Sequence, residues 1–196
     1  MAPCIIPPCV HKCSAGLTLL ELLIALFVLS ILLGVALPDF RDLVQNKRSD
    51  ASVRTLLTAI ELARTGAIVN NSLVTLCPSD EGEECSGNWE DGVLLFVDYD
   101  GDRKIDGADY ILRYFEFPHL EGKLYWRAFQ NRKYLQITPQ GFTRYQNGNF
   151  TFCPNDGDLR HARQIILNRN ARARQAVDSD GDDIREDSKG QPIRCP

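Results

Sequence analysis

Gly16-Leu17-Thr18-Leu19-Leu20-Glu21 opens an apolar run that continues to Leu37, and the nature of that run decides the fold. From Leu17 through Leu37 there are 21 residues and a single charge, Glu21. At ~1.5 Å per residue, a helix of that length crosses a hydrocarbon layer ~30 Å thick. A charged side chain in such a span costs roughly 2.5–3.5 kcal/mol at the bilayer centre, so Glu21 calls for a partner and a purpose. An ordinary signal peptide does not fit. The segment is too long, and no small-x-small cleavage site follows it before Pro38.

Downstream, Val53, Leu56, Leu57, Ile60, Ala63 and Ala67 recur at three- and four-residue spacing, while Arg54, Glu61 and Arg64 mark the opposite face. That pattern predicts an amphipathic continuation of the helix over 39–70, fading near Gly66 and ending by Asn70-Asn71. Beyond it, short apolar runs alternate with Gly, Asp and Asn clusters, which reads as antiparallel strands and turns. The expected strands are Leu73–Cys77, Gly92–Val97, Tyr110–Phe117, Lys123–Phe129, Tyr134–Ile137, Asn149–Cys153, Gln164–Leu167 and Ala171–Val177. An α+β architecture follows, with the helical stripe laid on a sheet.

The start of the chain resembles the prepilin signature of type IV pilins and type II secretion pseudopilins. That resemblance implies cleavage after Gly16 by a prepilin peptidase and methylation of the new terminus at Leu17. It also implies that Glu21 guides assembly by pairing with the terminal amine of a neighbouring subunit. The remainder is similar to the GspH/FimT minor subunits, carried by Leu62-Ala63-Arg64-Thr65-Gly66-Ala67, Val74-Thr75-Leu76-Cys77, Trp89, Gly92, Phe96 and Asp98. Asp109-Tyr110-Ile111-Leu112-Arg113, Pro139-Gln140-Gly141, Phe150-Thr151-Phe152-Cys153 and Arg163-Gln164-Ile165-Ile166 complete the resemblance. The expected organisation is a leader at 1–16, a transmembrane helix at 17–38, its amphipathic continuation at 39–70 and a β-rich head at 71–196. Other pilins, the peptidase and an inner-membrane assembly platform are the implied partners. The implied location is the bacterial inner membrane, crossed once, with the head in the periplasm and later extraction into a filament.

Seven cysteines divide at the cleavage point. Cys4, Cys9 and Cys13 sit in the leader with His11, a poor tetrahedral metal site because two prolines interrupt it. Cys77, Cys85, Cys153 and Cys195 remain, and four cysteines allow three pairings. Short separation favours Cys77–Cys85, leaving Cys153–Cys195, and disulfides suit an oxidising compartment such as the periplasm. Counted alone, Lys12 before the span against Arg41, Lys47 and Arg48 after it would place the far side in the cytoplasm. Orientation therefore rests on the resemblance and on the cysteines.

The whole chain carries a formal charge of −4, so it has no overall pull toward nucleic acid or anionic lipid. No nucleophile–base set is present: His119 and His161 are the only histidines beyond the leader, and neither Gly-x-Ser-x-Gly nor His-Glu-x-x-His occurs. An enzyme is not expected. Two alternating-Asp loops can present carboxylates to Ca²⁺: Asp98, Asp100 and Asp102, and again Asp178, Asp180 and Asp182. The twelve-residue calcium loop wants Gly sixth and a bidentate acid twelfth, where the first loop has Arg103 and Asp109. The competing reading is a hairpin turn, which Asp-Gly favours. Five arginines between Arg160 and Arg174 form a basic stretch without an acid. Arg172 and Arg174 would share one face of a strand, about 6.5–7 Å apart, a spacing suited to phosphate. Similar FimT-type members are implicated in DNA binding through Gly-Arg-x-Arg, which here reads Ala171-Arg172-Ala173-Arg174. Against DNA stands the acidic tail (Asp178, Asp180, Asp182, Asp183, Glu186 and Asp187), which would repel it or neutralise the arginines internally.

Overall fold

A computed structural model describes residues 18–117 and 120–196, with the side chains of 35–39 outside the description. Gly16 and Leu17, the leader cluster of Cys4, Cys9, Cys13 and His11, and His119 lie outside the described residues. The chain divides into two compact units, residues 1–42 and 43–196.

Helix α1 runs Leu19–Val69. Thr18 precedes it as the cap: its hydroxyl oxygen accepts the Glu21 amide at 3.2 Å, satisfying a backbone donor that the first turn leaves without a partner. Glu21 thereby occupies the third helical position, where a carboxylate complements the positive end of the helix dipole. From Leu19 to Gly34 the helix is apolar on every side but for Glu21 and Ser30, and it is bare, with Leu19 at 77% exposure, Phe27 at 67% and Leu33 at 48%. Among the described residues, no helix is long and apolar enough to cross a membrane. The described apolar side chains run from Leu19 to Gly34, about 24 Å of helix, short of the ~30 Å layer. Leu17 and the side chains of 35–38, which complete the expected span, lie outside the described residues.

In the second unit the predicted stripe is the packing face. Val53, Leu56, Ile60, Ala63 and Ala67 are buried, joined by Ala59, and Leu57 packs at the margin. The helix is followed by strands β1 (Leu73–Pro78), β2 (Gly92–Asp98), β3 (Tyr110–Glu116), β4 (Gly122–Ala128), β5 (Leu135–Ile137), β6 (Gly148–Pro154), β7 (Arg163–Leu167) and β8 (Ala173–Gln175). The strands form two four-stranded antiparallel sheets rather than one, ordered β3-β2-β1-β5 and β4-β6-β7-β8. One core contains residues from the helix and from both sheets, with Trp89 edge-on to Phe150 and Phe150 stacked on Trp126. Strand β2 is buried at every position. Val93, Leu95 and Val97 face the main core, whereas Leu94 and Phe96 meet Cys77 in a second cluster capped by Ile105, Tyr114 and Tyr134. A strand covered on both faces reads as a continuous apolar run, as Gly92–Val97 does.

Two disulfides close the unit, Cys77–Cys85 across the end of β1 and Cys153–Cys195 from β6 to the tail. The tail is further held by Ile193, fully buried against Ala162 and Ala176. Arg163 on β7 ties sheet to helix. Its guanidinium, 2% exposed, donates to Asp50 Oδ1 at 2.7 Å and to Asn46 Oδ1 at 2.7 Å, both on α1. The carbonyls of Arg160 and Ala162 accept from its Nη1 at 2.8 and 2.9 Å.

Candidate functional site

Three groups of residues carry chemistry beyond packing. The first is Glu21, which is exposed and in the first turn of an apolar helix. Among the described residues no cation pairs with its carboxylate, and its own amide is bound to Thr18.

The second is the hairpin between β7 and β8. The strand expected over Ala171–Val177 is shorter, Ala173–Gln175, because the turn takes up Asn168 through Arg172. The Ala171 amide donates to the Asn168 carbonyl at 3.1 Å, and the Asn168 side chain accepts the Arg172 amide at 3.1 Å. Arg174 sits opposite Ile166 on β8, and Arg172 lies just outside the strand, where its carbonyl accepts the Asn168 amide at 3.2 Å. Ala171 has φ +49°, the left-handed conformation that glycine enters without cost. This is the position where the similar DNA-binding motif has Gly. An L-residue pays about 1–2 kcal/mol there, and burying the Ala171 methyl in the core recovers about 0.8 kcal/mol of it.

The five arginines separate into two classes. Arg160 is bound to Asp158, whose carboxyl it holds down at a pKa of about 2, and Arg163 is committed to α1. Arg169, Arg172 and Arg174 are exposed, and among the described residues none of the three forms an ion pair. Among the described residues, the tail acids form no ion pair with them. Beside this hairpin, Arg144, Arg169, Phe142 and Tyr145 line an open groove of about 600 Å³. Phe142 and Tyr145 are 45% and 66% exposed. No signal in the sequence singled out that aromatic pair.

The third group is the acidic loops. Asp98, Asp100, Asp102 and Asp109 each bring one carboxylate oxygen within 4.8 Å of the others. The connection is a hairpin between β2 and β3, but an eleven-residue one, Tyr99 to Asp109, far longer than the tight turn Asp-Gly favours. The Asp98 Oδ1 accepts the Gly101 amide at 2.7 Å, Asp100 the Asp102 amide at 3.0 Å, and Asp102 the Lys104 amide at 2.7 Å. Gly101 turns at φ +79°, and a methyl there would meet the Arg144 guanidinium at 2.6 Å. The other Asp98 oxygen accepts Thr75 Oγ1 at 2.5 Å and Gln136 Nε2 at 3.0 Å, linking the loop to β1 and β5.

The second acidic loop repeats the arrangement with Asp178, Asp180, Asp182 and Glu186. Glu186 is already engaged, accepting the Ser179 amide at 2.8 Å and its hydroxyl at 2.5 Å. The Asp182 amide pulls the Asp180 carboxyl down, but burial and the charges of Asp182, Glu186 and Asp178 together lift it above its ordinary value.

Comparison with known proteins gives this geometry a setting. Residues 52–171 match the family described as Type II transport protein GspH, and residues 11–37 match the prokaryotic N-terminal methylation motif. The pilin-like protein PilA1 of Thermus thermophilus is 42% identical over 95 residues, which are 48% of this chain and 54% of the relative. The chain thus spans about half the length of the curated relative it matches. Crystal structures of the type IV minor pilin FimU from Pseudomonas aeruginosa superpose with a TM-score of 0.49 and 16% identity. They cover 64–65% of this chain and 85–92% of the other.

Proposed function

Since the chain belongs to the GspH family, a lineage of pilin-like structural subunits and not enzymes, we propose that it is a minor pilin or pseudopilin. In this reading it is cleaved between Gly16 and Leu17, held in the inner membrane by the apolar part of α1 and drawn into a filament together with other pilins. The observation that carries the reading is the bare helix from Leu19 to Gly34, apolar on every side but for Glu21 and Ser30. A helix hydrophobic on every face needs lipid or sister helices around it. Glu21 then acts as the docking charge, satisfied by the amine that cleavage frees on a neighbouring chain. The two closed disulfides favour a periplasmic head. Glu21→Ala tests the assembly role: the protein stays in the membrane fraction but disappears from sheared filaments. Equal recovery of Glu21→Ala and the unmodified chain in filaments would refute it.

A second reading adds DNA as a ligand of the same subunit. It rests on the exposed and unpaired state of Arg169, Arg172 and Arg174 beside a groove holding Phe142 and Tyr145. Exposed arginines supply phosphate contacts, and bare aromatic rings supply stacking for single strands. A gel shift at low salt that weakens with added salt and with Arg172→Ala or Arg174→Ala supports it. No shift at low salt removes it.

A further inference from the structure

We propose that Arg103, Arg132 and Tyr134 form a binding site for a compact tetrahedral oxyanion, a phosphate group foremost. Arg103 lies in the loop between β2 and β3, and Arg132 and Tyr134 lie just before β5. The Arg103 Nη1 and the Arg132 Nη1 donate to the same atom, the Tyr134 hydroxyl oxygen, at 3.2 and 3.0 Å. Both guanidinium groups also lie against the Tyr134 ring, with Cζ at 5.0 and 5.9 Å from its centroid. Two like charges drawn onto one phenol repel each other. Among the described residues no carboxylate pairs with either one. Arg103 Nε donates to the backbone carbonyl of Asp102 and not to its side chain, and Arg132 Nη2 donates to the Gln130 amide oxygen.

The unspent donors select the ligand. The Tyr134 oxygen accepts twice, while its own O–H meets no acceptor among the described residues, and neither do Arg103 Nη2 and Arg132 Nε. Donors from two cations and a phenol call for an anion with several oxygens, and the guanidinium fork matches phosphate in that way. The site is set in advance. The Tyr134 ring packs on the outer cluster of Cys77, Leu94 and Phe96. Arg103 is held at φ +72°, and Gln130 and Asn131, which lead into Arg132, at +62° and +51°. Those left-handed conformations are costly for residues with side chains, and such strain gathers at ligand clamps. Lys104 and Lys133, each next in sequence to an arginine, add exposed positive charge. Glu81, Glu83 and Glu84 share a groove with Arg103 and Lys104, which disfavours a long polyanion and leaves a single phosphate group as the fit.

Isothermal titration calorimetry of the full chain in an uncharged detergent, at low and constant ionic strength, tests the proposal. Inorganic phosphate gives a saturable isotherm and chloride does not. Arg103→Gln and Arg132→Gln each lose at least tenfold in phosphate affinity, and Tyr134→Phe, which keeps the ring against the guanidinium groups, loses about fivefold. In phosphate-free buffer the two glutamine variants melt within about 2 °C of the unmodified chain, because relief of repulsion offsets the lost stacking. Arginines that serve only to pack Tyr134 would lower Tm and leave the isotherm unchanged, and that result overturns the proposal. So does heat from phosphate that chloride matches. Phosphate binding abolished by Arg172→Ala but retained in Arg103→Gln and Arg132→Gln overturns it as well. Glycerophosphoglycerol, the bare diester of a lipid head group, is the second probe: binding tighter than that of phosphate assigns the site to lipid, and weaker binding assigns it to free phosphate.

Discussion

Replacing Asp50 by Ala isolates the tie between helix and second sheet. The change strands the Arg163 guanidinium, which is 2% exposed and cannot turn to water. Its contacts with Asn46 and with the Arg160 and Ala162 carbonyls survive, so three of its four acceptors remain but its counter-charge is gone. Arg185, whose guanidinium lies 3.8 Å from Asp50, loses the same carboxylate and keeps only the charge of Asp178 against that of Arg163. Breaking a buried pair by removing one partner costs about 3–5 kcal/mol. The surviving acceptors and the 27% exposure of the Asp50 side chain set the expectation at the low end, about 3 kcal/mol. For a unit of this size that is a fall in Tm of about 6–12 °C. Differential scanning calorimetry of the full chain in detergent reads it directly. Arg48→Ala is the matched control, since Arg48 and Glu121 pair on the surface at 43% and 54% exposure, and such pairs are worth about 0–1 kcal/mol. An Asp50→Ala loss no larger than that of Arg48→Ala would refute the reasoning.

Three further outcomes follow from the same structure. The Asp158 carboxyl sits below its usual value, at about 2, so its bond to Arg160 stabilises the fold above pH ~4. That contribution is lost as pH falls from about 4 through 2. Arg160 is half exposed, which limits the contribution to about 1 kcal/mol or less, and Asp158→Asn should erase that part of the acid dependence of urea midpoints. Opening Cys153–Cys195 by Cys195→Ser costs about 4 kcal/mol by loop entropy, against about 2.5 kcal/mol for Cys85→Ser, and melts of the two variants give the order. Ala171→Gly is neutral within about 0.5 kcal/mol, because relief of the left-handed strain is offset by the lost methyl and by glycine's greater entropy. Ala171→Val loses more than about 2 kcal/mol in the same denaturant series, since a branched side chain fits that conformation worse.

Local periodicity made much of this architecture legible. The stripe from Val53 to Ala67 is the buried face of α1, and β1, β2, β4 and β6 lie within a residue or two of the runs that announced them. What periodicity could not supply was the pairing of strands far apart in sequence. An alternating run such as Lys123–Phe129 states which of its faces is apolar, not which sheet it joins, so the division into two sheets went unseen. The shortening of β8 escaped for a different reason: Asn168 folds its side chain onto the Arg172 amide, a local bond that competes with the ladder. Among the candidate ligands, Asp98, Asp100 and Asp102 were visible from their spacing. Asp109 looked like a defect in a template until its carboxylate was placed against theirs. Arg163 read as one more member of a basic stretch, and only its burial separates it from Arg172 and Arg174.

The double coverage of β2 makes the acidic loop a lid as well as a connection. Leu94 and Phe96 face away from the main core, and Ile105 is among the few side chains that keep them dry. If the segment from Asp98 to Asp109 loosens, that oily outer face is laid open while the main core stays intact. Ile105→Ala should therefore register as new affinity for hydrophobic dyes and as clumping of otherwise folded subunits, well before any loss of secondary structure.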